Sequence, residues 1–284
     1  MPLIRTKSGA AFLGAFALAA SAFQVQAAEP LPADQPAAAT YADLADMSDS
    51  AHLVLRAQVL KLIRVKDERA PGLRPGYGRF YVKARTRTLL TGNVPLGESL
   101  QYLVDLPLDQ RGKPPKLKKQ DVLLFARSVP GRPGELQLIA PDSQLPWDEM
   151  TEARLRSILT ELVAPDAPAR ITGVREIIFV PGNLAGSGET QIFLSTADDS
   201  AASITVRHSP GLPPQWGVSF SELMADVGNP PPRDTLAWYR LACFLPDAPP
   251  SRANHSETAS ARAQAAADYR MVLGELGTCT RARK

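Results

Sequence analysis

Histidine is the usual general base, and this chain has only three: His52, His208 and His255. His52 stands at the start of an alternating apolar segment, His255 lies in a loop beside Asn254 and Ser256, and His208 ends a strand-like run between Arg207 and Ser209. A serine hydrolase presents its nucleophile at a sharp turn beside a positioned base. The chain has no G-x-S-x-G, and no S-x-x-K after its first twenty-seven residues. Gly186-Ser187-Gly188 reads as the tip of a hairpin. Metal spacings of the H-E-x-x-H, calcium-loop and zinc-ribbon kinds are missing, and Asp198-Asp199 is read as a turn former. The Gly182 to Gly188 loop lacks the lysine and the following helix of a phosphate loop. Asn254-His255-Ser256 matches a glycosylation sequon, a pattern that also arises by chance. The expectation is a non-catalytic protein with no metal and no cofactor. The alternatives are an assembly scaffold, or a periplasmic hydrolase with a site between two domains that uses scattered carboxylates such as Glu189.

Charge placement says more than total charge. The whole chain carries a formal +3, but Arg56 to Lys119 holds fifteen Lys and Arg against five Asp and Glu, whereas Thr151 to Lys284 holds thirteen against fourteen. Within the basic half, Phe80, Val82 and Ala84 alternate with Tyr81, Lys83, Arg85 and Arg87, the mark of a strand with one apolar and one basic face. With Arg56 on an adjacent strand, and Lys116 and Lys118 on a turn that also carries Lys113 and Lys119, these residues predict a basic patch. Tyr81 is its one outward aromatic. The predicted ligand-binding set is therefore Arg56, Tyr81, Lys83, Arg85, Arg87, Lys116 and Lys118, with Arg69 and Arg74 in a neighbouring loop. The partner expected there is another envelope protein or an anionic polymer, with no nucleic acid.

The address follows from the first twenty-seven residues. Arg5 and Lys7 precede an apolar run from Ala10 to Phe23 that closes on Val25-Gln26-Ala27, the pattern of a signal peptide with no stop-transfer charges and no transmembrane anchor. A periplasmic or secreted protein is expected, with a disordered Ala- and Pro-rich leader over residues 28–40. Only Cys243 and Cys279 are present, and one disulfide is the economical reading of two cysteines in an oxidising compartment. A reactive thiol pair or two metal ligands would be the alternatives, and neither a C-x-x-C spacing nor a nearby histidine pair supports them.

Tyr41 to Ser50 reads as a short amphipathic turn. Leu53 to Leu62 alternates with one phase slip, which predicts a bulged or bent strand. Further strands are expected at Phe80–Ala84, Leu100–Leu106, Val122–Ala126 and Leu136–Ile139, and five short strands with a bent first one suggest a small barrel. Trp147 to Val163 has helical spacing. Four strands follow at Ile171–Val180, Glu189–Thr196, Ala202–Val206 and Trp216–Phe220, then a buried helix over Thr235–Leu245 with Asp234 as N-cap, and an Ala-rich helix opened by Ser256-Glu257-Thr258 and ended by Gly277. Trp216 and the Trp238-Tyr239 pair are assigned to core packing.

The Ser50 to Val59 strand, the Leu89-Leu90-Thr91-Gly92 turn after the second strand and the Asp121-Val122-Leu123-Leu124-Phe125 strand together resemble the netrin and tissue-inhibitor-of-metalloproteinase module. The resemblance implies an OB-type barrel. Its inhibitory mechanism does not transfer, because those inhibitors chelate zinc through a cysteine at the mature N-terminus, and here the expected N-terminus near Ala28 offers none. The expected fold class is α+β: an OB/netrin-like barrel over residues 41–148, a linking helix over 149–165, and a small antiparallel sheet with helices and a disulfide over 166–284.

Overall fold

Thr40 and Asp43 start the first element by exchanging hydrogen bonds: the Thr40 hydroxyl accepts from Asp43 N at 3.1 Å and the Asp43 carboxylate accepts from Thr40 N at 2.9 Å. The resulting helix, α1 (Tyr41–Ser50), is ten residues long with seven of them buried, a fuller element than the short turn expected. This computed structural model describes residues 38–92, 95–221 and 227–283. The expected signal peptide, and the expected leader as far as Ala37, lie outside the described residues.

Six strands and a second helix complete the first half: β1 (Leu53–Arg64), β2 (Tyr77–Thr91), β3 (Ser99–Pro107), β4 (Asp121–Ser128), β5 (Leu136–Leu138), β6 (Gln144–Pro146) and α2 (Glu149–Leu162). All the ladders are antiparallel, in the order β3-β2-β1-β4-β5 with β6 also on β4. The phase slip read in the sequence is real. β1 shifts register against β2 at three places, one of them between Val59 and Lys61. Leu89 to Thr91 is not a turn, since it continues β2 against Val54 and Leu55 of β1. No ladder closes this sheet among the described residues; an isolated parallel bridge joins Gln101 of β3 to Glu135, the residue before β5.

Alternation sorts the side chains into two cores. Leu53, Leu55, Ala57, Val59, Val122, Leu124 and Ala126 point into the concavity of the first sheet with Phe80, Val82, Tyr102 and Val104. Val54, Leu123 and Phe125 point the other way, onto α1 and α2. Because both its faces are covered, β4 is apolar throughout Val122–Ala126, which explains its continuous run.

The second half holds β7 (Ile171–Pro181), β8 (Gly188–Thr196), β9 (Ser203–His208), β10 (Gln215–Ser219), α3 (Leu236–Ala242) and α4 (Ala259–Leu276). The strands form an antiparallel sheet in the order β10-β9-β8-β7. Ile177, Ile192, Leu194, Ile204 and Val206 of this sheet join the same cluster as α1, α2, α3 and α4, so one helix-lined core unites the two sheets. The class is α+β. The N-cap of α3 is Thr235, whose hydroxyl accepts from Trp238 N at 3.2 Å, and not Asp234, which has a left-handed φ of 59°. Trp216, Trp238 and Tyr239 are buried as expected, and Cys243 is bonded to Cys279.

Three aspartates of α1, spaced three apart, bind the C-terminal half. Asp43 accepts from Ala282 N and Arg283 N, each at 3.1 Å. Asp46 accepts from the Tyr239 hydroxyl at 2.5 Å and from Arg281 Nε at 2.6 Å. Asp49 takes both terminal nitrogens of buried Arg240, at 2.8 and 2.9 Å.

Candidate functional site

The outer face of the first sheet presents two adjacent rows that cross three strands. Cross-strand neighbours stand close enough to act together. Register places Ile63, Tyr81 and Leu103 side by side in the first row, and Lys61, Lys83 and Gln101 in the second. Ile63 is 40 % and Leu103 49 % exposed, so the first row is apolar surface open to solvent. The Tyr81 hydroxyl donates to Gln101 Oε1, which links the two rows. Lys61 and Lys83 are exposed, directly opposite one another, and neither has an ion-pair partner among the described residues. Like charges in that relation are destabilising, a cost an anion would relieve.

Two grooves flank these rows. On the β3 side lies one of about 690 Å³, lined by Tyr81, Gln101 and Leu103 on one wall and by Leu136 to Pro141 on the other. Its charges are already matched: Arg79 forks onto Asp105 at 2.7 and 2.8 Å, and Arg132 meets Glu135 at 3.3 Å. On the β1 side lies one of about 550 Å³, where Leu60, Leu62 and Leu117 face the same space as Lys61, Lys116 and Lys118.

The seven predicted binding residues therefore divide. Tyr81 and Lys83 lie on the open rows, and Lys116 and Lys118 line the β1-side groove. Arg85 is on the same face but meets Glu98 at 3.1 Å. Arg56 and Arg87 turn toward Asp121, at 2.6 and 3.8 Å. The Arg56 guanidinium also stacks 3.6 Å from the Trp147 ring centroid, and Trp147 Nε1 donates to Glu152 at 2.5 Å. Burial raises the Glu152 pKa, but hydrogen bonds from Trp147 and Arg156 outweigh it and hold the carboxyl below its ordinary range. Arg56 thus fastens α2 to the sheet, and its charge is spent there. Arg74 is held by Asp142 at 2.7 Å, while Arg69 lies exposed in the Asp67–Arg69 turn. Lys61 escaped the sequence reading because the bulge at Leu60 hides which face follows it.

Of the groups weighed for catalysis, His52 precedes β1 of the first sheet, whereas Glu189 and His208 lie on the second and His255 in the loop before α4. Glu189 accepts from Gln191 Nε2 at 2.5 Å and pairs across the strands with Arg207 at 3.1 Å. His52 and His255 are exposed, with their backbone N–H groups donating to Ala126 O and Ile177 O. The Asn254 amide donates to Arg262 O, so the sequon asparagine closes the loop before α4. Asp198 accepts from Ser200 N and Oγ, which fits its reading as a turn former, and the Ser187 hydroxyl donates to Leu184 O within the hairpin tip.

One cluster was missed. Asp268, 3 % exposed on α4, accepts from Gln264 Nε2 at 2.9 Å and from the Thr190 hydroxyl, and lies 3.0 Å from His208 Nε2. Its signal was available: Asp268 follows Ala261 and Ala265 and precedes Val272 at the spacing of a buried face. The cluster docks α4 onto β8 and β9. Asp268→Ala is expected to lower unfolding free energy by about 3 kcal/mol, because it strands the buried Thr190 hydroxyl and leaves half-buried Gln264 and His208 without their acceptor. Urea unfolding measures it; a loss under about 1 kcal/mol would show that these groups find water instead.

No protein-family model matches the chain, and no curated protein matches it significantly.

Proposed function

We propose that this is an exported, non-catalytic binding protein whose first sheet is an OB-type barrel resembling the netrin module, and whose outer face holds an acidic partner of the cell envelope. One observation carries the reading: Lys61 and Lys83 stand opposite each other without a counter-charge among the described residues, beside an exposed apolar row and a groove bearing Lys116 and Lys118. The strand order β3-β2-β1-β4-β5, with its parallel bridge from Gln101 to Glu135, supports the barrel, since an OB barrel closes by a parallel contact between these two strands. The disulfide and the signal-like leader support export, and among the described residues no helix is long and apolar enough to cross a membrane.

Binding through such a face is electrostatic and screened by salt. Lys61→Glu/Lys83→Glu is expected to weaken polyglutamate binding by about ten- to a hundredfold at low ionic strength, and to flatten its salt dependence. Both residues are exposed, so circular dichroism and thermal unfolding should match wild type. Undiminished binding by the reversed variant would remove this face from the account.

A further inference from the structure

β1 is longer than its partner on one side. β4 pairs with Leu53 to Gln58, and the backbone of Val59 is taken by Gln120 O at 2.9 Å and Lys119 N at 2.8 Å. Beyond that point, Leu60 to Arg64 have β2 on one side and no strand on the other among the described residues. Val65 N donates to Arg79 O on β2, so the alternation of an antiparallel ladder turns the N–H and C=O of Leu62 and Arg64 away from β2. No described backbone group outside the strands bonds them there. What faces them is the Gly112 to Lys118 segment. Pro114 and Pro115 have no N–H to offer, and Leu117 N and Gln120 N are used within that segment's own turns.

The space between is the β1-side groove. At one end it is closed by the Val59–Lys119 bond, and at the other by Arg64 Nη1 donating to Gly112 O at 3.3 Å. An open strand edge recruits extended polypeptide, because only a polypeptide backbone matches a row of alternating N–H and C=O groups. Leu60, Leu62 and Leu117 supply an apolar lining, and Lys61, Lys116 and Lys118 supply positive charge. A strand sends successive side chains to opposite faces, so one whose residues alternate acidic and aliphatic would meet both at once. A sulfated or phosphorylated polymer would satisfy the lysines and leave the edge and the leucines unused.

Resting on the reading of the basic face given above, we propose that an extended acidic–aliphatic polypeptide segment adds as a strand alongside Leu60–Arg64, in the groove between β1 and the Pro114–Lys118 loop. The lysines choose the carboxylates, and the edge supplies the main-chain bonds.

The test titrates the full chain with a short peptide alternating glutamate and valine, with the same peptide N-methylated on the amides that would face β1, and with polyglutamate, a sulfated polysaccharide and vesicles of anionic phospholipid. The expected result is that N-methylation weakens the peptide about tenfold or more, that the amides of Leu62 and Arg64 gain protection from hydrogen exchange when the unmodified peptide binds, and that Lys116→Glu/Lys118→Glu abolishes that protection. Equal binding of the N-methylated peptide, or tightest binding of the polysaccharide or the vesicles with no protection at Leu62 and Arg64, overturns strand addition while leaving the basic-face reading intact. If no anionic probe binds at low salt, both fail together. The exchange measurement is made on wild type, so a variant that fails to fold does not remove the test.

Discussion

Arg240→Ala is expected to destabilise the protein by about 3–5 kcal/mol, the range for removing one partner of a buried ion pair. Arg240 is 4 % exposed; it forks onto Asp49 of α1 and donates Nε to Pro168 O at 3.0 Å. Its loss leaves the Asp49 carboxylate without its partner and removes this tie between α1 and α3, leaving the Tyr239–Asp46 hydrogen bond. The hydrogen bond from Arg240 is the main influence that lowers the Asp49 pKa in the folded state; burial opposes it, and the charges of Arg240 and Arg170 assist. A carboxyl with a lowered folded pKa contributes stability at pH values above its unfolded pKa of about 3.9, and that contribution is lost as pH falls through the folded value. Wild type should therefore lose stability on acidification below about pH 4, and Arg240→Ala and Asp49→Asn should each flatten that part of the curve. Urea unfolding across pH checks both parts. The double replacement Asp49→Leu/Arg240→Met should recover much of the loss, because a packed apolar pair removes the desolvation cost. An Arg240→Ala loss below about 1 kcal/mol would mean that water replaces the pair.

The second large effect belongs to the disulfide. Cys243 ends α3 and Cys279 follows Gly277 at the end of α4, with a sequence separation of 36. Chain-entropy arguments give about 3–4 kcal/mol for closing such a loop. The bond also delivers the tail to α1 and beyond: Arg281 reaches Asp46, the Ala282 and Arg283 N–H groups reach Asp43, and Arg283 Nη2 donates to Asp142 O at 2.6 Å. Cys243→Ser/Cys279→Ser is expected to lose about 3–4 kcal/mol, and wild type in reductant should fall to the same stability. If the reduced protein keeps the stability of the oxidised one, the tail's hydrogen bonds alone hold the C-terminus.

Strands were legible because burial imposes a period of two: the alternation around Val82, Tyr102 and Ile192 reports a face, and even the slip near Leu60 reports a bulge. α1 was misjudged because what completes it is remote. Asp43, Asp46 and Asp49 look like solvent-facing charges beside Leu44 and Met47, and their partners lie about 190 to 240 residues further on. The same limit governed the site. Arg56 and Lys83 are alike as letters, but Asp121, Glu152 and Trp147 converge on the first, whereas the second faces Lys61. Ion pairing across strands depends on register, and bulges set register here. The turn expected at Leu89 to Gly92 reduces to Gly92, whose φ of 145° marks the end of β2 and where a Cβ would run into Leu53.

The central claim, that the outer face of the first sheet holds an acidic partner, is tested most directly by crosslinking affinity purification from the protein's own cell envelope. Wild type, Lys61→Glu/Lys83→Glu and Glu189→Gln are compared. The account predicts a partner with an acidic contact segment that wild type and Glu189→Gln recover equally and the lysine-reversed variant loses, with crosslinks mapping to Lys61, Lys83, Lys116 or Lys118. Recovery of the same partner by the lysine-reversed variant, with crosslinks on the second sheet, would contradict it.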